Sequence, residues 1–348
     1  MKNRVYVIAM PVKKYHDGND FVLDTVPFFK KYGYKVYNTR RGGVLLSFLI
    51  EFYLLFKIKK NATVVTTWPG FPKIAINDRF FLNRLRISIF NWVVKYKNWN
   101  YVVIPIDLHL LNAKARISEQ AYDKLAAIEN HVFEKVNVFI ACGEVLYHTF
   151  KREYPGAKVF KMDMYDQKLP GFTYSARIPD KNNIKIVILG NLVRMLDNIH
   201  ELPKFKGISY SFIGKNGEKL EQFRRNDFHY LGEIPDDDLL KTLNKFDFGL
   251  VFYSRKVDFY FSQVISGKTT SYLYAGLPVL CPHQYTSIAA LVEEKKVGAV
   301  IEEMETLPEK IHRLLPFYEE LRGNCLAEAG KIQTFRHYED ALEKAELI

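Results

Sequence analysis

The chain has 348 residues, of which 48% are apolar and 15% aromatic, enough to fill two cores and to suggest two domains. No run of about eighteen purely apolar residues is present, which argues against a membrane-spanning helix. The three cysteines, Cys142, Cys281 and Cys325, are odd in number and widely spaced, so they suit neither a disulfide framework nor a zinc knuckle and point to a reducing, cytoplasmic setting.

The net charge of +11 is unevenly placed. Residues 1–100 hold 18 Lys and Arg against 5 Asp and Glu, and the remainder holds 32 against 34. A basic lobe of this kind suits an anionic partner. No zinc-finger or RNA-binding signature accompanies it, so nucleic acid is not expected. An anionic membrane surface is a second partner to weigh, placing the chain peripherally at the inner face of a cell membrane.

In chain order, Val5–Ala9 reads as a strand, too short for the apolar region of a signal peptide. Asp24–Tyr32 reads as a helix ending at Gly33, followed by a strand at Lys35–Tyr37. The segment 44–58 is a very apolar helix, preceded by Arg40 and Arg41 and closed by Lys57, Lys59 and Lys60. Two readings stand for it: an interfacial helix on a bilayer, or a helix buried between strands. Strands follow at Ala62–Thr67, Tyr101–Pro105, Val138–Ala141 and Lys158–Met162, alternating with helices at Arg79–Val94, Glu119–Lys135 and Leu146–Glu153. Such alternation implies a parallel sheet covered on both faces.

A polar break at Pro179–Asn183 separates this half from a second one. There, strands are expected at Ile184–Leu189, Ser209–Ile213, Phe228–Gly232, Phe248–Phe252, Val279–Cys281 and Ala299–Ile301. Helices are expected at Asp236–Asn244, Thr269–Ala275 and Ile288–Lys295, and the chain from Leu307 onward reads as mostly helical. The expected division is an N-terminal lobe at 1–178 and a C-terminal lobe at 179–348 that keeps the terminal helices. Ligands of such sheets bind at the carboxyl ends of the strands.

The most informative segment is Ser266-Gly267-Lys268-Thr269-Thr270, which opens a helix that returns through Ala275-Gly276-Leu277-Pro278 to an apolar strand. A lysine, two hydroxyls and the free backbone N–H groups of a helix start favour a phosphate. The segment is not a Walker A loop, because the residue five before Gly267 is Ser262 rather than glycine.

Together with Gly190-Asn191, Phe212-Ile213-Gly214, His229-Tyr230-Leu231-Gly232 and Gly249-Leu250-Val251, this segment resembles the C-terminal lobe of GT-B glycosyltransferases. Within them it is similar to bacterial glucosyltransferases that extend sugars on serine-rich adhesins, and to related galactofuranosyltransferases. Ile106-Asp107-Leu108-His109-Leu110-Leu111 resembles their His-Asp-Leu-x-x-Leu segment, with the order of the acidic residue and the histidine changed. The resemblance covers roughly residues 100–310 and implies an α/β fold of two Rossmann-like lobes facing a central cleft.

It also implies a hexosyltransferase using a nucleotide sugar, most simply UDP-linked, as co-substrate. The hexose would be of glucose or galactose/galactofuranose type, and the acceptor a glycan on a lipid or protein, as in polysaccharide biosynthesis. By the resemblance, Asn191 and Arg194 would meet the diphosphate, Phe252 and Tyr253 the base, and Lys268, Thr269 and Thr270 the diphosphate again. The base that takes the acceptor proton would be Asp20, His109 or Asp107. The donor segment lacks the paired glutamates of retaining relatives, which favours inversion. No metal or other cofactor is expected: Asp236-Asp237-Asp238 reads as a helix start, where carboxylates cap and complement the dipole. Two rivals remain, a non-catalytic α/β protein docking on a membrane or anionic partner, and an enzyme that modifies a nucleotide sugar. Self-association is left open.

Overall fold

A computed structural model describes residues 3–9, 21–39, 44–72, 74, 80–106, 108, 110–111, 114, 117–168, 178–192, 199, 202–218, 220 and 225–348. The chain forms two units, one of residues 1–167 with 335–348 and the other of residues 168–334.

The first unit holds strands β1 (Arg4–Ile8), β2 (Lys35–Asn38), β3 (Thr63–Trp68), β4 (Asn100–Pro105), β5 (Val138–Cys142) and β6 (Lys158–Met162). They pair in the order β2-β1-β3-β4-β5-β6, with every pairing parallel. Helices α1 (Phe21–Lys31), α2 (Val44–Lys57), α3 (Phe80–Tyr96), α4 (Glu119–Phe133) and α5 (Glu144–Glu153) connect them. β5 is buried along its whole length as Val-Phe-Ile-Ala-Cys, and β1, β3 and β4 are buried beyond their first residue, which is why they read as continuous apolar runs. Chain order reverses beside β1, so the switch point of this sheet lies between β1 and β3.

The second unit holds β7 (Ile184–Asn191), β8 (Ile208–Lys215), β9 (Phe228–Tyr230), β10 (Phe248–Leu250), β11 (Val279–Pro282) and β12 (Gly298–Ile301). They pair in the order β12-β11-β10-β7-β8-β9, again all parallel, which is the arrangement of a dinucleotide-type Rossmann sheet. Helices α6 (Asp236–Leu243), α7 (Asp258–Phe261), α8 (Gly267–Tyr274), α9 (Thr286–Lys295), α10 (Leu307–Leu314) and α11 (Tyr318–Gln333) belong to this unit. Its core gathers Ile186, Ile188, Tyr210, Phe212, Phe248 and Leu250 from the strands and Phe252 just past β10, with Ile311 and Tyr318 from the helices.

The last helix, α12 (Arg336–Lys344), departs from the expected division. It belongs to the first unit rather than to the lobe that precedes it in sequence. The Asp166 carboxylate, fully buried just past β6, accepts from the Tyr338 backbone N–H at 2.8 Å and meets His337 Nδ1 at 2.6 Å. Tyr34 donates to the Leu347 carbonyl at 2.7 Å, Tyr32 donates to Glu339, and Phe335 stacks on Phe28. These contacts all fall on the first unit, so the chain closes that unit after finishing the second.

Candidate active site

The second sheet reverses chain order beside β7, so its switch point lies between β7 and β10. Those two strands pair only through Phe248↔Ile186 and Gly249↔Val187. Beyond that pairing, Tyr272 of α8 enters between them. Its hydroxyl accepts from the Leu189 N–H at 2.9 Å and lies 3.1 Å from the Leu250 carbonyl and 3.3 Å from that of Val187. Gly249 makes room for the ring, since a Cβ there would stand 2.4 Å from Tyr272 Cγ. One tyrosine therefore fastens α8 to both strands of the switch point.

The end of β7 is held free of side chains in a comparable way. Gly190 is in register with Gly214 of β8, and Gly214 has φ +141°. A Cβ on Gly214 would collide with the Gly190 carbonyl at 1.7 Å. Bare backbone at a strand end leaves space for a ligand to approach closely. Asn191 follows directly, and its side-chain oxygen accepts from the Asn216 amide at 3.1 Å. Arg194 lies outside the described residues.

Helix α8 begins at Gly267 with Ser266 as its N-cap, and no side chain closes that cap. Gly267 is exposed and nothing crowds its Cα. The helix phase decides which of the expected phosphate residues reach solvent. Lys268 is partly exposed, whereas Thr269 and Thr270 are buried with Tyr272, Leu273 and Tyr274 on the inner face. The hydroxyls of Ser266 and Thr269 stand 3.5 Å apart. The arrangement offers an anion the Lys268 ammonium at the positive end of a helix, where the Thr269 N–H is already bonded to the Ser266 carbonyl at 3.0 Å.

Tyr253 and Phe252 follow β10, and both are engaged within the unit. Phe252 is part of the core. The Tyr253 ring stacks on Phe261 with centroids 3.5 Å apart and planes 2° apart, and the Lys268 ammonium stands 4.7 Å from its centroid. A ring covered at 3.5 Å on one face can receive the cation only on the other, so both faces are taken. Tyr253 thus serves as a platform that positions Lys268. Burial pushes its hydroxyl well above the ordinary tyrosine range, with Ser266 drawing it partly back. Tyr285 locks the segment, accepting from the Tyr253 N–H at 3.0 Å and lying 3.2 Å from its carbonyl.

Asp258, which opens α7, is a carboxylate that the sequence does not single out. Burial raises its pKa and the Tyr285 hydroxyl draws it partly back. Its signal in sequence was slight: one acidic residue in the linker after a strand. The run Asp236-Asp237-Asp238 opens α6, with Asp238 paired to Lys241 at 3.2 Å. Among the described residues, no group of three or more His, Cys, Asp or Glu stands close enough to hold a metal ion. Asp20, Asp107 and His109 lie outside the described residues, so the proton acceptor has no described geometry.

Residues 186–345 match the family model described as the glucosyltransferase 3-like C-terminal domain. That stretch contains the Gly190–Gly214 floor, the Tyr272 wedge and the Lys268 helix start. A mutant form of the O-GlcNAc transferase of Thermobaculum terrenum superposes with a TM-score of 0.56 at 11% identity, over 99% of this chain and 67% of its own. Residues 186–345 thus carry a glucosyltransferase 3-like domain, and the chain as a whole has the two-sheet α/β fold called GT-B. Other similar structures are UGT89C1 of Arabidopsis thaliana (TM-score 0.47, 11% identity, 99% of each chain) and a UDP-N-acetylglucosamine 2-epimerase (TM-score 0.48, 12% identity, 100% of this chain and 98% of that one). A search of proteins with curated functions gives no match.

Proposed function

We propose that this chain is a glycosyltransferase that moves a hexose of glucose or galactose/galactofuranose type from a UDP-sugar to a hydroxyl of a glycan carried on a lipid or a protein. The observation that carries this reading is the α8 start within the glucosyltransferase 3-like domain: an uncapped helix N-terminus with Lys268 held over it by Tyr253. The acceptor oxygen attacks the anomeric carbon and the bond to the β-phosphate oxygen breaks, with inversion. Negative charge grows on the departing diphosphate, and Lys268 with the positive end of α8 opposes it. Asn191 and Arg194 assist at the end of β7. The acceptor proton passes to Asp20, Asp107 or His109.

No step in this scheme calls for a metal. Transfer is therefore expected to survive EDTA, and loss of turnover in chelator that manganese restores would refute metal independence. Hydrolysis and thermal stabilisation measured across UDP-, TDP- and GDP-sugars test the donor. UDP-glucose or a UDP-galactose isomer should stabilise the protein and be hydrolysed slowly without acceptor. A panel in which none of the sugars binds would overturn the reading.

A further inference from the structure

Helices α2 and α3 lie side by side on the first unit, and each leaves an apolar stripe uncovered. On α2 the exposed apolar residues include Leu49, Phe52, Tyr53 and Phe56; on α3 they include Phe81, Leu82, Leu85, Ile89, Trp92 and Tyr96. Both sets repeat at helical spacing, so each forms one continuous face. Phe56 is 65% exposed, Trp92 62% and Phe81 76%, values that a helix packed into a core would not leave. A shallow groove lined by Phe48, Phe52, Leu55, Ile89 and Phe90 among others lies between the two helices. The stripes therefore join into one surface, larger than the scattered apolar residues a soluble protein tolerates.

The charges around this surface have one sign. Residues 44–60 and 80–99 carry seven cations, Lys57, Lys59, Lys60, Arg84, Arg86, Lys95 and Lys97, against a single carboxylate, Glu51. Glu51 is buried and paired with Arg86. At the shared C-terminal ends of the helices the cations sit with aromatic rings: Lys57 stands 4.9 Å from the Tyr53 centroid and Lys60 4.3 Å from that of Tyr96, which stacks on Trp92. An apolar band edged by Trp, Tyr and Lys has the composition of a surface seated at a bilayer interface. Among the described residues no helix is long and apolar enough to cross a membrane.

We propose that the α2–α3 face docks the first unit on an anionic lipid bilayer, with the aromatic and aliphatic stripes among the headgroups and the lysines on the lipid phosphates. A second copy of the chain suits the face less well. A twofold contact repeats the same patch on both subunits and would bring its cations together. The inference uses no residue of the transferase site, so it stands or falls independently of the donor reading.

Co-sedimentation of the full chain tests it, using vesicles of phosphatidylcholine with or without about one-third phosphatidylglycerol. Each cation near an anionic surface strengthens binding roughly fivefold. The triple variant Lys57→Gln/Lys59→Gln/Lys60→Gln should therefore lose affinity for anionic vesicles about 100-fold. The variant Phe56→Ser/Trp92→Ser should lose binding while keeping its circular dichroism, since both side chains already face solvent. Tryptophan emission gives a second reading: Trp68 and Trp99 are buried, so a blue shift on adding vesicles reports Trp92. Equal binding to neutral and anionic vesicles would overturn the proposal. So would a lipid-free dimer, abolished by Phe56→Ser/Trp92→Ser, in a protein that ignores vesicles.

Discussion

Removing one oxygen, in Tyr272→Phe, tests how the candidate site is built. The ring fits between β10 and β7 because Gly249 has no side chain, and phenylalanine fills the same space, so the substitution opens no cavity. What it removes is the acceptor for the Leu189 N–H, 2.9 Å away, and the donor facing the Leu250 carbonyl at 3.1 Å. Both backbone groups belong to buried residues. A buried partner left unsatisfied costs about 1–3 kcal/mol, and the N–H suffers more than the carbonyl. A total of about 2 kcal/mol follows. For a unit of this size, about 2–4 °C is lost per kcal/mol, so its melting point should fall by about 4–8 °C. The control is Tyr210→Phe, which loses only a bond to the Pro203 carbonyl at 3.1 Å and should cost about 1 kcal/mol or less. Guanidinium unfolding at constant m value measures both variants. A loss for Tyr272→Phe no larger than that of the control would refute the wedge argument. Because Lys268 lies one helical turn before Tyr272, the same variant should also bind UDP more weakly.

Lys268→Ala should weaken UDP about tenfold or more, as expected for a charged hydrogen bond, and leave uridine nearly unchanged. Equal losses for the two ligands in calorimetry would remove Lys268 from the phosphate site. Burial pushes the thiols of Cys142, Cys281 and Cys325 far above the ordinary cysteine range, so none should react with Ellman's reagent at about pH 8 until the protein is unfolded. A thiol labelled at once in the native protein would contradict its burial. For the proton acceptor, single substitutions at Asp20, Asp107 and His109 should single out one position, where turnover falls by about 10²–10⁴ while UDP affinity holds. Near-normal turnover in all three variants would place the base elsewhere.

Much of the fold was legible because the strands bury both faces and so read as short apolar runs, as β5 and β11 do. Glycines at strand ends were legible too: Gly190 and Gly214 mark the two strands that close on each other. The home of α12 was not. Its amphipathic pattern requires a partner surface but does not say which of two similar sheets supplies it; Asp166, 171 residues from His337, decides that. Within the site, Lys268 was readable as the cation of a helix start, whereas Tyr253 was misleading. An aromatic residue after a strand has the same pattern whether it stacks on a base or on Phe261, and only the fold brings Phe261 to its ring. Thr269 and Thr270 show the same limit. Hydroxyls next to a lysine look like ligands in sequence, yet each residue of a helix turns by about 100°, and that rotation carries both threonines inward.

The two units share an architecture and differ in what they do with it. Each is a six-stranded parallel sheet whose chain order reverses beside its first strand, so topology alone would give each a ligand crevice. In the second unit that crevice is prepared: paired glycines clear the end of β7, Tyr272 fixes α8 across the gap, and Tyr253 holds Lys268 at the helix start. In the first unit, cations are many and peripheral, gathered around exposed aromatic rings on α2 and α3. A positioned lysine on a rigid platform suits a small anion of defined geometry. A diffuse ring of lysines on long, mobile side chains suits an extended anionic surface, where register does not matter. The lopsided charge of the sequence fits the two proposals taken together, since only docking on an extended anionic surface calls for an excess of charge.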